Sequence, residues 1–190
     1  MRAPVLTLAL VAAGCSFLHP KPDRTRYLVL TAQAKRTDGP RFTGTVGLDQ
    51  LTLPEYLQRP ELVSRLQSNE LHVADEDRWA EPLHDGVTRT LRADLATRLG
   101  LARVLAPPWE TAAPPDVTLD VDVRRFERVA SGAVELEAAW SVHAGGQTNA
   151  HTSRLREPAA HADAQATAAA LSRVLDAFAA ELSVAVRAAR

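Results

Sequence analysis

The sequence predicts an α+β fold: a mostly antiparallel β-sheet with two main α-helices, one central and one long and C-terminal, packed on it. Three observations carry this. Leu83, Val87, Leu91, Leu95 and Leu99 recur every four residues, a broad apolar stripe of helical period. Val117, Leu119, Val121 and Val123 alternate with Asp120 and Asp122, and alternation resumes through Val134, Leu136, Ala138, Trp140 and Val142, as in strands with one wet face. From about Ala162 to Ala188 an alanine-rich stretch sets Leu171, Leu175, Phe178, Leu182 and Val186 on one side, a helix of roughly 40 Å at 1.5 Å per residue.

The elements follow in chain order. Residues 1–14 read as a signal peptide: Arg2 is a minimal positive region, and Pro4–Ala13 is an apolar run too short for a membrane span. Ala12, Ala13 and Gly14 lead into Cys15, the only cysteine, as in a bacterial lipobox, although Ala12 stands where leucine is usual. Cys15 is therefore the expected lipidation site, and the covalent lipid is the only expected non-protein group. Residues 15–26, with Pro20 and Pro22, form a tether that reaches up to about 40 Å. Residues 27–190 form one domain.

Within it, "YLVLTA" is β-rich, and Asp38-Gly39-Pro40 marks a loop. In "TVGLDQLTL", Val46 and Leu48 share one parity and Leu51 and Leu53 the other, which a bulge near Asp49-Gln50 reconciles. Pro54 opens one helical turn that presents Tyr56 and Leu57. Pro60 then biases Arg59 to extended backbone, so a strand begins at Glu61. That strand turns back as a hairpin at Gln67-Ser68-Asn69. "DEDRWAE" reads as a solvated turn before the central helix, with Glu81 and Pro82 in the first turn and Gly100 ending it. "LARVL" is a short strand, "APPWETAAPPD" a proline-rich loop, and "QTNAHTSRL" a polar edge strand that closes a three-stranded meander.

The charge is nearly balanced, 22 basic against 23 acidic residues, which argues against a nucleic-acid partner. Catalytic patterns are sparse. Asp75, Asp77 and Glu81 are numerous enough for a cell-envelope hydrolase, but a contiguous run does not place two carboxylates on opposite sides of a substrate. The six histidines have no metal-binding spacing, and no nucleophile elbow or phosphate loop occurs. No catalytic or metal residue is assigned, and the chain reads as a non-enzyme. Trp79 is expected to pin the helix to the sheet, with Arg78 stacked on an aromatic ring. Trp140 and the C-terminal stripe read as core, and Trp109 as an exposed contact.

Two segments carry a resemblance: L-P-x-Y-L-x-R-P-x-L-V-x-R from Leu53 to Arg65, and R-W-A-E-P-L from Arg78 to Leu83. In this order behind a lipobox, with "RVLAPPW" and "DVTLDVDVRRFER" after them, they resemble the PqiC/YmbA family of ABC-type transport auxiliary lipoproteins. The resemblance covers essentially the whole chain after Cys15. It implies a non-catalytic lipoprotein anchored to the periplasmic face of the outer membrane. It also implies an MCE-domain partner that spans the periplasm, together with an ABC permease and ATPase or a Pqi-type membrane protein. Ser16 after the cysteine, rather than Asp, agrees with the outer membrane. Pro54, Pro60, Arg78, Trp79, Glu81 and Pro82 are the signature residues; Tyr56, Gln58, Arg59 and Trp109 are candidate partner contacts, and self-association would suit a subunit that caps a tubular partner. Two other readings stay open: a periplasmic lipid or lipopolysaccharide chaperone enclosing an acyl chain between sheet and long helix, and the hydrolase.

Overall fold

A computed structural model describes residues 22–36, 40–109 and 113–189. Cys15, the signal segment, most of the tether and the Asp38-Gly39 turn lie outside the described residues. The elements are β1 Arg26–Leu28, β2 Val46–Thr52, a 3-10 turn Glu55–Leu57, β3 Glu61–Gln67, β4 Glu70–Trp79, α1 Leu83–Leu99, β5 Val117–Arg128, β6 Ala133–Ala144, β7 Gln147–Pro158 and α2 Ala164–Ala188.

The strands form one seven-stranded sheet in the order β1-β4-β3-β5-β6-β7, with β2 also paired to β5. It is mixed: mostly antiparallel, as expected, but not purely so. The β3–β4 hairpin and the β5–β6–β7 meander are antiparallel, whereas β1 on β4, β2 on β5 and β3 on β5 are parallel. The reason is the route of the chain. One edge of β5 is shared: β2 pairs with Val117–Asp122, and Ser64 of β3 meets Arg128 further along. The chain between them does not reverse. It steps off the edge at Thr52, makes the turn at Glu55–Leu57, and rejoins the same edge in the same direction.

The expected bulge in β2 is present, with a register shift between Leu48 and Gln50 that lets Val46, Leu48 and Leu51 all bury. Two expected strands are shorter than read. "YLVLTA" pairs only through Leu28, because beyond it helix side chains bind the backbone: Ser172 Oγ accepts from Thr31 N–H, and Asp94 Oδ1 from Gln33 and Ala34 N–H, at 2.8–3.1 Å. "LARVL" contributes one bridge, Leu105 to Gly47; Pro107 and Pro108 follow, and proline has no N–H with which to continue a ladder. The "DEDRW" run is strand rather than turn. Its acidic residues lie where β4 bulges away from β3 and takes β1 as its partner on the other side, Asp77 opposite Arg26.

Both helices lie on one face. The α1 stripe of Leu83, Val87, Leu91, Leu95 and Leu99 is buried throughout, as are Leu171, Leu175, Phe178, Leu182 and Val186 of α2. Each such side chain contributes roughly 1.5–3 kcal/mol relative to an exposed one. α2 packs across β5, β6, β7 and β1 and also against α1, to which it is tied by an Arg98–Asp176 ion pair of 2.6 Å. Gly100 ends α1 in the left-handed conformation (φ 70°), as glycine at that position allows. α2 starts at Asp163, whose carboxylate accepts from Ala166 N–H at 2.7 Å. Trp140 is core, edge-on to Phe178 and donating its indole N–H to Ser153 at 2.8 Å.

Candidate docking site

The two signature segments, apart in sequence, become the two walls of one cleft. Gln58, Arg59 and Pro60 face Trp79 to His84 across a cavity of ≈ 460 Å³. Backbone pairing brings them together: Trp79 N–H donates to Pro60 C=O at 2.6 Å, and Glu61 pairs with Arg78 in the ladder. Trp79 is buried at the base, and Ala80 N–H is taken by Leu28 C=O at 2.9 Å. Thus the strand that follows the tether braces the same cleft.

Each wall is fixed from behind. Pro54 C=O accepts from Leu57 N–H at 3.0 Å and closes the 3-10 turn, and the Gln58 amide donates to Leu53 C=O at 3.1 Å. Tyr56 turns its ring onto the core, and the Arg65 guanidinium lies over it at 5.6 Å. Arg65 in turn binds Glu127, whose side chain is fully buried. Burial, and then the neighbouring Glu127 carboxylate, push the Tyr56 hydroxyl up to about 12. The stacked cation is therefore Arg65 on Tyr56. Arg78, expected to stack on an aromatic ring, instead pairs with Glu61 at 3.5 Å.

On the other wall Pro82 caps α1, its carbonyl accepting from Asp85 and Gly86 N–H at 2.9 and 3.1 Å. Glu81 folds over Gly86, where an added Cβ would sit 3.2 Å from Glu81 Oε1. The Arg89 guanidinium holds that carboxylate at 2.5 Å. His84 Nε2 lies 3.0 Å from Leu51 C=O; a carbonyl only accepts, so Nε2 carries a proton. Arg59 is exposed at the rim, and among the described residues its guanidinium has neither hydrogen bond nor ion pair.

Trp109, the fourth candidate contact, lies elsewhere. It is half-buried with its ring against Gly47, where an added Cβ would approach Trp109 Cζ3 to 2.9 Å, and it lines a different cavity with Arg92, Arg103 and Pro108. The acidic residues do not converge either. Asp77 forms a forked pair with Arg26 (2.6 and 2.9 Å) beside a cavity bounded by Ser64 and Asp163, Glu81 belongs to the docking cleft, and Asp75 is exposed. Among the described residues no group of three or more His, Cys, Asp or Glu is placed to hold a metal.

A larger feature was not foreseen. The sheet face away from the helices carries a trough of ≈ 740 Å³ across β2, β5, β6 and β7. Two cross-strand rows line it, Thr52-Asp122-Ala139-Thr152 and Gln50-Asp120-Ser141-Ala150. The polar parity of β5 and β6 was the available signal. His143 Nε2 contacts both Asp120 Oδ2 (2.9 Å) and Ser141 Oγ (3.0 Å), while Nδ1 meets Thr148 Oγ1 at 2.9 Å. The carboxylate and Ser141 share one ring nitrogen and Thr148 takes the other, so the cluster ties β5, β6 and β7 together by hydrogen bonds.

The family model for the ABC-type transport auxiliary lipoprotein component matches residues 27–183. The chain belongs to this family. The intermembrane transport lipoprotein PqiC of Escherichia coli strain K12 is 28% identical to this auxiliary lipoprotein over 152 residues, 75% of this chain and 74% of PqiC. PqiC of Shigella flexneri matches equally. Two crystal structures share the fold at 20% identity. One, of an uncharacterized protein, has a TM-score of 0.70 over 85% of this chain and 98% of its own. The other, of a Xanthomonas campestris protein, has 0.71 over 84% and 93%. Among the described residues no helix is long and apolar enough to cross a membrane.

Proposed function

We propose that this auxiliary lipoprotein is the non-catalytic docking subunit of an intermembrane lipid transport system of the MCE type. Acyl chains on Cys15 hold it to the periplasmic face of the outer membrane, and the folded domain grips the end of an MCE-domain protein. Any ATP hydrolysis belongs to an ABC permease–ATPase pair, or transport runs through a Pqi-type membrane protein. The observation that carries this reading is the convergence of both signature segments on one cleft, in a member of a transport-auxiliary family whose relative PqiC is named for intermembrane transport. Two or three acyl chains anchor firmly where one anchors weakly, at about 0.8 kcal/mol per buried methylene.

The test is fractionation joined to co-purification. The native protein is expected in outer-membrane fractions and, after crosslinking in intact cells, bound to an MCE-domain protein; Cys15→Ser releases it to the soluble periplasm. Unchanged membrane fractionation of Cys15→Ser, or no MCE-domain protein after crosslinking, contradicts the reading. The chaperone alternative finds no support in the packing. The space it assigns to an acyl chain holds Leu171, Leu175, Phe178 and Leu182, all essentially inaccessible and clustered with Val134, Leu136 and Ala138 of β6.

A further inference from the structure

We propose that the cleft receives an apolar, acid-bearing segment of the partner protein: an aliphatic side chain against Trp79, Leu83 and the two prolines, and a carboxylate on Arg59. This rests on the docking reading and adds the chemistry of what docks. Among the charged side chains that line the cleft, one is left over. Pro60 and Pro82 have no N–H to offer. The backbone N–H of Trp79 is spent on Pro60 C=O and that of Ala80 on Leu28 C=O. The Gln58 amide is committed to Leu53 C=O, the Glu81 carboxylate to Arg89, and the His84 ring to Leu51 C=O and Asp85. Arg59 remains the charged lining side chain that has no hydrogen bond or ion pair among the described residues.

A guanidinium presents a planar fork that matches a carboxylate in two parallel hydrogen bonds. Phosphate recognition, by contrast, draws on clusters of arginine, and the other arginine beside this cleft, Arg89, already serves Glu81 and Leu30 C=O. The volume falls within the ~300–1,000 Å³ of ordinary ligand pockets. Arginine and tryptophan are also the residue types that most often dominate the energy of protein interfaces.

The experiment uses the full lipidated chain in intact cells, with a photoreactive benzophenone side chain in place of Gln58, which is exposed and leaves Arg59 in place. Adducts are digested and sequenced by mass spectrometry. The expected adduct is one partner segment with Asp or Glu beside Leu, Ile or Val. Arg59→Glu lowers its yield at least tenfold and Arg59→Lys less. Replacing the mapped partner acid by Lys restores the yield in the Arg59→Glu protein. An adduct to phospholipid, a mapped segment without an acid, or a yield indifferent to Arg59→Glu overturns the proposal. The same probe at Thr152, in the trough, separates the two levels. Partner adducts at Thr152 and none at Gln58 overturn this inference and leave the docking reading standing; adducts at neither position count against both.

Discussion

The trough on the open face is larger than the cleft at the start of α1, yet the cleft is the docking site we propose. In the trough the charged groups have partners: Thr52 donates to Asp122 at 2.7 Å, and His143 ties Asp120 and Ser141 to Thr148, although Asp120 Oδ1 itself is buried without a hydrogen bond. Its floor of Ala139, Ser141, Ala150 and Thr152 leaves the volume by being small. In the cleft the walls are anchored from behind and one cation is left over. Volume measures where side chains are short, whereas recognition needs a rigid apolar surface and a charged side chain still lacking a partner.

Trp79→Ala is the most severe way to break that contrast. It removes the base of the cleft and a buried anchor between β4 and α1, at about 3–5 kcal/mol, and abolishes partner capture; thermal unfolding and co-purification read the two effects. Glu127→Ala comes next. Removing one partner of a buried ion pair costs about 3–5 kcal/mol when the other charge cannot reach water, and Arg65, 18% exposed, retains some access, which sets this at the lower end. The readouts are denaturant unfolding and the ultraviolet titration of Tyr56. The hydroxyl should fall below about 12 as the Glu127 carboxylate is lost, while burial, the larger cause, still holds it up.

Why some of this was legible and some was not has a physical answer. Period and parity are local properties. The apolar stripes of α1 and α2, the alternation of β5 and β6, the bulge at Asp49 and the β3–β4 turn could all be read from neighbours in sequence. Strand direction is not local. β1 and β2 pair in parallel with strands tens of residues away, and no feature of "YLVL" or "TVGLDQ" announces it. The Asp75–Asp77 run looked like a turn because its solvated pattern is shared by turns and by bulged strands. The signature segments were recognisable separately. Their meeting depends on Trp79 N–H finding Pro60 C=O, a pairing that neither segment encodes alone.

Smaller perturbations sharpen the contrast. Arg59→Glu should leave the unfolding midpoint unchanged within about 0.5 kcal/mol, as for other surface substitutions, while partner capture falls at least tenfold. His143→Ala, beside the trough, should cost at most about 1 kcal/mol, since its contact with Asp120 is about one-third exposed, and should leave partner capture intact. Asp94, outside both regions, provides a pH control. Burial raises its carboxyl above the ordinary 3.8, against the opposing effect of two backbone N–H groups. A raised carboxyl binds its proton more tightly folded than unfolded. Its contribution is therefore most favourable below the ordinary value and is lost as pH rises through the native one. Asp94→Asn keeps an oxygen for Gln33 and Ala34 and should flatten that fall in stability, measured as the denaturant midpoint against pH.

The most direct measurement compares the two regions in the assembled state. Single cysteines replace Gln58 and Thr152 in turn, in lipidated protein whose Cys15 carries no free thiol. Each is labelled with a maleimide in cells with and without the MCE-domain partner. The thiol at position 58 should be shielded at least tenfold when the partner is present, while that at position 152 should label at the same rate in both strains. Shielding at position 152 with free labelling at position 58 would contradict docking at the cleft.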